Sequence, residues 1–290
     1  MYERLALGTA QFGLFYGVSN VYGQPTAAEC KSILSYAKSV GVQTLDTAIA
    51  YGSSEEVLGS IGIEDWQVVT KLPAIPDGIV DVDGWVESQL FHSLCRLGVK
   101  SLHGLLLHQP NQLLSDRGKD LYCSMLKHQD LGIVKKIGIS IYSPIELEQI
   151  PSVMHFDIVQ APLNILDRRM ILTGWADRLM EKGIEFHARS IFLQGVLLMS
   201  SHERAEKFKP WNKLWKIWDA WLKSNKLSAV DVCLSYALKT EQITKLVIGV
   251  TNLSELREIL SNIKSDLPDP PVELMTQDIK LLNPSLWTKT

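Results

Sequence analysis

The stretch Asp46-Thr47-Ala48-Ile49-Ala50-Tyr51-Gly52 closes one short apolar run and turns away from it. The next two runs behave alike: Gln67–Lys71 stops on Lys71 and Gly104–His108 stops on His108. A carboxylate, a phenol, an ammonium and an imidazole are therefore delivered by three successive strand ends. Parallel barrels place their chemistry at such ends, on turns shaped by a rigid scaffold.

Working outward, the same alternation of apolar run and amphipathic stretch recurs about eight times. The candidate strands are Leu5–Gly8, Thr44–Thr47, Gln67–Lys71, Gly104–His108, Lys136–Ser140, Asp157–Gln160, Ile184–Ala188 and Lys245–Gly249. Several are rich in Val, Ile and Leu without polar alternation, as in strands covered on both faces. Between them, Thr26–Val40, Asp83–Leu97 and Arg169–Lys182 read as helices. Thr26 and Glu29 have the spacing of a capping box, and Gly41, Gly98 and Gly183 stand where helices end left-handed.

Strand–helix repetition closes into a barrel or spreads as a doubly wound sheet. The open sheet that binds dinucleotides needs G-x-G-x-x-G after its first strand, and Gly8-Thr9-Ala10-Gln11-Phe12-Gly13 lacks that spacing. The expected fold is a (β/α)8 TIM barrel, a single domain over residues 1–290, with extra helices before the seventh helix and at the C-terminus. The first extra piece, Glu203–Lys223, sets Trp211, Trp215, Trp218 and Trp221 on one helical face and reads as packing against the barrel. The second is Pro271–Leu282, with a short tail reaching Trp287.

Composition sets bounds. A formal charge of −3 with scattered Lys and Arg gives no electrostatic case for nucleic acid or an anionic membrane. No apolar run reaches membrane-spanning length and the N-terminus shows no signal pattern, so a cytoplasmic protein is expected. The four cysteines, Cys30, Cys95, Cys123 and Cys233, form no C-x-x-C pair and read as reduced packing residues. The histidines show no H-x-x-H or H-E-x-x-H spacing, so no metal is expected.

Taken with Val69-Thr70-Lys71, Leu106-Leu107-His108, Gly138-Ile139-Ser140, Gln160-Ala161-Pro162-Leu163-Asn164 and Ile248-Gly249-Val250-Thr251-Asn252, the D-T-A-x-x-Y-G turn resembles the aldo-keto reductase superfamily over essentially the whole chain. The resemblance implies an NAD(P)H-dependent reduction of an aldehyde or ketone, with Asp46, Tyr51, Lys71 and His108 as the catalytic set. Side-chain chemistry agrees. A carbonyl accepting hydride needs a proton donor at the developing alkoxide. A phenol near pKa 10 is a reluctant acid that an adjacent ammonium would help. Tyr51 would be that donor, Lys71 its activator, Asp46 the partner of Lys71, and His108 the group that orients the carbonyl.

The resemblance further implies that Ser140, Gln160 and Asn164 hold the nicotinamide amide. It assigns Ser190, Gln194 and Gly195 to a loop around the pyrophosphate. Gly249, Thr251, Asn252, Glu255 and Glu258 would serve the adenosine end at a helix N-terminus. Four positions depart from the family pattern: Ile141, Arg189, Glu255 and Ile259. A carboxylate at Glu255 would repel a 2′-phosphate, so the cofactor could be NADPH or NADH. The partner is a small-molecule carbonyl compound, a sugar being one candidate. Phe12, Tyr16, Tyr22, Arg168 and Arg169 are candidate substrate contacts. Two other readings stay open: a nucleotide-binding regulatory protein with little turnover, and a barrel enzyme whose Lys71 forms a Schiff base.

Overall fold

A computed structural model describes residues 2–261 and 267–287. Its strands are β1 Leu5–Gly8, β2 Thr44–Asp46, β3 Gln67–Leu72, β4 Leu102–Leu107, β5 Val134–Ser140, β6 Ile158–Pro162, β7 Glu185–Arg189 and β8 Ile243–Gly249. All pairs are parallel, and β8 returns to β1 to close a barrel in sequence order. The eight strands are those expected, with ends shifted by one or two residues.

The barrel interior explains two of the glycines. Val69, Leu106 and Ile158 form its apolar plug. A Cβ at Gly104 would meet Ile158 Cδ1 at 2.9 Å, and one at Gly138 would collide with the Ile158 carbonyl. Neighbouring strands supply small residues so that one branched side chain fills the space, as close packing requires. Above the plug the inner faces turn polar, with Asp46, Lys71 and Gln160 buried at the C-terminal rim.

The surrounding helices include α1 Ala27–Ser39, α2 Ser54–Ile61, α3 Val82–Leu97, α4 Gly118–Asp130, α5 Ile145–Gln149, α6 Trp175–Glu181, α7 Ala229–Lys239 and α8 Leu253–Ser261. The anticipated helix Arg169–Lys182 is two pieces, because Gly174 adopts φ +73° and ends the first turn at Leu172. The insert before α7 is likewise a 3-10 segment, Glu206–Trp211, followed by the helix Asn212–Asn225. Pro271–Leu282 is not one helix: a 3-10 turn at Val272–Leu274 and a helical turn at Ile279–Leu282 flank an extended link.

The tryptophan face packs as read. Trp215 and Trp218 are buried in a second core and donate to the carbonyls of Phe208 and Leu197. Trp287 closes edge-on against Phe208. All four cysteines are free; Cys95 and Cys123 are exposed, so only Cys30 and Cys233 pack inside. No helix among the described residues is long and apolar enough to cross a membrane.

Candidate active site

The D-T-A-x-x-Y-G turn is held by backbone contact that only glycine permits. A Cβ on Gly13 would collide with the Tyr51 carbonyl, and one on Gly52, at φ +54°, with the Gly13 carbonyl. Ser54 Oγ donates to the Thr9 carbonyl at 2.9 Å and pairs with Thr47 Oγ at 3.1 Å. The loops after β1 and β2 are thereby clamped together, and Tyr51 sits where they meet.

Lys71 is buried at the end of β3 with every N–H satisfied. Its Nζ donates to Asp46 Oδ1 at 2.9 Å, Asp46 Oδ2 at 2.8 Å and the Thr47 carbonyl at 2.8 Å. Asp46 accepts a further bond from Gln160 Nε2 at 2.6 Å. A fully bonded ammonium outside the cavity lining is no free amine nucleophile, which removes the support for the Schiff-base reading.

Lys71 does not bond to the Tyr51 hydroxyl. Its Nζ lies 5.2 Å from the Tyr51 ring centroid, while the phenol has no hydrogen-bond partner among the described residues. Burial pushes the Tyr51 pKa up and the Asp46 carboxylate adds to this, with Arg189 opposing. The expected depression by Lys71 is therefore absent here, because Asp46 neutralises that ammonium. Tyr51 is therefore protonated at neutral pH. His108 lies edge-on to Tyr51, with centroids 5.7 Å apart at 80°. Burial first, then the charges of Lys71 and Arg189, lower its pKa to about 4, so it is neutral at pH 7.

A cavity of about 350 Å³ runs from this group to the N-terminus of α8. Asp46, Tyr51, Ser190, Gln194, Gly195, Gly249, Thr251, Glu255 and Glu258 all line it, together with Gln11, Tyr16 and Arg189. Ser190, Leu193 and Gln194 have positive φ, as does Gly195, where a Cβ would collide with Ser19. This left-handed run curls the β7 loop over the cavity, and Val18 N–H ties the β1 loop to it through the Gln194 carbonyl at 3.1 Å. The cavity is thus lined by Tyr51, by this left-handed cradle and by the start of α8, whose backbone N–H groups suit anions.

Six predicted residues stand outside the lining. Lys71 and His108 back Tyr51. Ser140 and Gln160 pair across β5 and β6, Ser140 Oγ lying 3.5 Å from Gln160 Oε1. Asn164 accepts from Leu166 N and Asp167 N and donates to the Ser190 carbonyl, so it holds the cradle from behind. Asn252 caps α8, accepting from Glu255 N at 2.9 Å.

Several anticipated substrate contacts are occupied elsewhere. Phe12 is core. Arg169 bonds Asp167 and the Tyr142 carbonyl, and Arg168 stacks on Tyr236. Tyr22 is exposed outside the lining, whereas Tyr16 does line the cavity. The capping box at Thr26 is half formed. Thr26 Oγ accepts from Glu29 N, but the Glu29 carboxylate reaches across to Leu253 N at 2.6 Å. Glu255 likewise accepts from Thr251 N at 2.7 Å and Thr251 Oγ at 2.8 Å. Two carboxylates thus occupy the start of α8. Glu29 was missed because its partner lies 224 residues away. Arg189 could have been found from strand parity, two and four residues beyond His187 and Glu185.

A closed barrel with this constellation at its C-terminal rim defines a class, and the comparisons agree with it. Residues 4–277 match the model of the aldo/keto reductase family, so the chain belongs to that family. An uncharacterised oxidoreductase of Schizosaccharomyces pombe is 29% identical over 141 residues, 45% of this chain and 49% of that protein. The chain thus matches about half the length of that relative. A structure from Pseudomonas aeruginosa assigned as an aldo-keto reductase superimposes with TM-score 0.66 at 18% identity, covering 89% of this chain and 88% of its own. The holo form of an aldo-keto reductase from Bacillus halodurans does so with TM-score 0.69 at 16% identity, covering 92% and 94%.

Proposed function

We propose that this chain, as a single domain, is an NAD(P)H-dependent oxidoreductase that reduces an aldehyde or ketone to an alcohol. The observation that carries the reading is Tyr51: it lines the cavity, its hydroxyl protonated and without a partner among the described residues, beside a neutral His108. The bound nicotinamide would supply hydride. The protein's own residues would do the rest. Tyr51 Oη and a His108 ring nitrogen would hold the carbonyl oxygen, and the phenol would pass its proton to the oxygen as negative charge develops. Arg189, the charge that favours ionisation of Tyr51, would stabilise the phenolate left behind. Gln160 steadies Asp46, and through it Lys71.

Ser140, Gln160 and Asn164 are assigned to the nicotinamide end, Ser190, Gln194 and Gly195 to the pyrophosphate, and Gly249, Thr251, Asn252, Glu255 and Glu258 to the adenosine. NADH is favoured over NADPH, because the Glu29 and Glu255 carboxylates already occupy the donors a 2′-phosphate would seek. Titration of intrinsic tryptophan fluorescence tests this. NADH should quench in the micromolar range and NADPH only at higher concentration. Absence of binding by both would overturn the reading.

A further inference from the structure

Among the described residues, Arg189 at the C-terminal rim of the barrel has no carboxylate partner. Alternate residues of β7 share a face, so Glu185, His187 and Arg189 rise in one column. Glu185 and His187 bond each other at 2.9 Å. Arg189, at the top, lines the cavity with Tyr51 and Tyr16. Its partners among the described residues are Ser190 Oγ at 3.2 Å, the Ile141 carbonyl at 3.0 Å and the Tyr142 ring at 4.5 Å, none of them acidic.

The guanidinium is therefore fixed before any ligand arrives, which removes much of the ordering cost of binding. Two of its five N–H donors are engaged, one on each terminal nitrogen, leaving three for an oxyanion. Nearby charges do not cancel it. Asp46 neutralises Lys71, and His108 is uncharged at neutral pH. The field of Arg189 reaches the reacting group: it pulls on the proton affinities of Tyr51, Tyr16 and His108 together.

We propose that Arg189 recognises an oxyanion on the substrate, so that the carbonyl compound reduced at Tyr51 carries a carboxylate or phosphate near its reacting carbon. The inference rests on the reductase reading above. The cofactor's pyrophosphate is the competing oxyanion, so the test fills that site first. Protein saturated with NADH is titrated calorimetrically with glycolate and glycerol 3-phosphate, and with their neutral counterparts ethylene glycol and glycerol. These alcohols cannot be reduced, so the ternary complexes are inert.

At least one anion should bind about tenfold or more tightly than its neutral counterpart, the scale of one charge-assisted hydrogen bond. Which anion binds distinguishes carboxylate from phosphate. Arg189→Gln should abolish the preference, and Arg189→Lys should keep part of it. Equal binding of anion and neutral alcohol overturns the proposal, as does a preference that survives Arg189→Gln. Anion binding that vanishes on NADH saturation assigns the guanidinium to the pyrophosphate and also overturns it. Should Arg189→Gln not fold, the wild-type ratio decides, and a true preference must fall with rising ionic strength. Should NADPH bind and NADH not, the titration is run on protein saturated with NADPH; should neither bind, the reductase reading fails, and the same titration of cofactor-free protein still decides the oxyanion site.

Discussion

Asp46→Asn is the substitution whose consequence the geometry fixes most tightly. It leaves a buried ammonium facing an uncharged amide. Two unit charges about 3 Å apart attract by about 5–6 kcal/mol at an effective dielectric constant near 20. Lys71 can escape part of that loss by releasing its proton. From an ordinary value of 10.5, deprotonation at pH 7 costs about 5 kcal/mol, which caps the damage. The Asn amide oxygen still accepts one bond. The net expectation is a loss of about 3–5 kcal/mol, typical of one member of a buried pair removed.

The double variant Asp46→Leu/Lys71→Met strands neither charge. It should lose about 2 kcal/mol less than the two single losses summed. Stability of Asp46→Asn should also rise with pH from neutral toward 10.5, by up to about 1.4 kcal/mol per unit. The sign follows because the unfolded chain then holds a proton that the folded chain has released. Urea unfolding read by tryptophan emission and far-ultraviolet circular dichroism measures all three effects. A single-variant loss under about 1 kcal/mol, or strict additivity, would refute the reasoning.

Tyr51→Phe should lower kcat about a hundredfold or more with little change in the Kd for NADH, because only the proton donor is removed; full turnover would exclude Tyr51 from the mechanism. Glu255→Arg should move the NADPH-to-NADH affinity ratio about tenfold toward NADPH, and an unchanged ratio would mean that Glu255 does not face the ribose. Burial works against ionisation of Glu185, but bonds from His187 and Lys136 outweigh it and lower its pKa to about 2. Its carboxylate therefore contributes stability above its ordinary value near 4.5, at most about 3 kcal/mol, lost as pH falls toward 2. The gap between wild type and Glu185→Gln in urea should close on acidification; a gap independent of pH would contradict it.

Local chemistry was legible in the sequence wherever the signal was local. The eight strands, the polar groups that end them, and the glycines at Gly41, Gly98 and Gly183 follow from runs and turns a few residues long. Gly174 was equally local, yet a helical period spanning it concealed the break. The tertiary structure alone decided what those groups do to one another. Neutralisation of Lys71 by Asp46 depends on the packing of β2 against β3; burial of Tyr51 first, and the Asp46 carboxylate second, then reverse the pKa shift that residue types suggest for it. The reach of Glu29 to Leu253, and the loss of Arg168 and Arg169 to neighbours, likewise depend on which elements the closed barrel brings side by side. Composition and period select the fold, because burial follows the repeat of apolar residues. Charge and hydrogen bonding select the site, and both act across distances that are short in space and long in sequence.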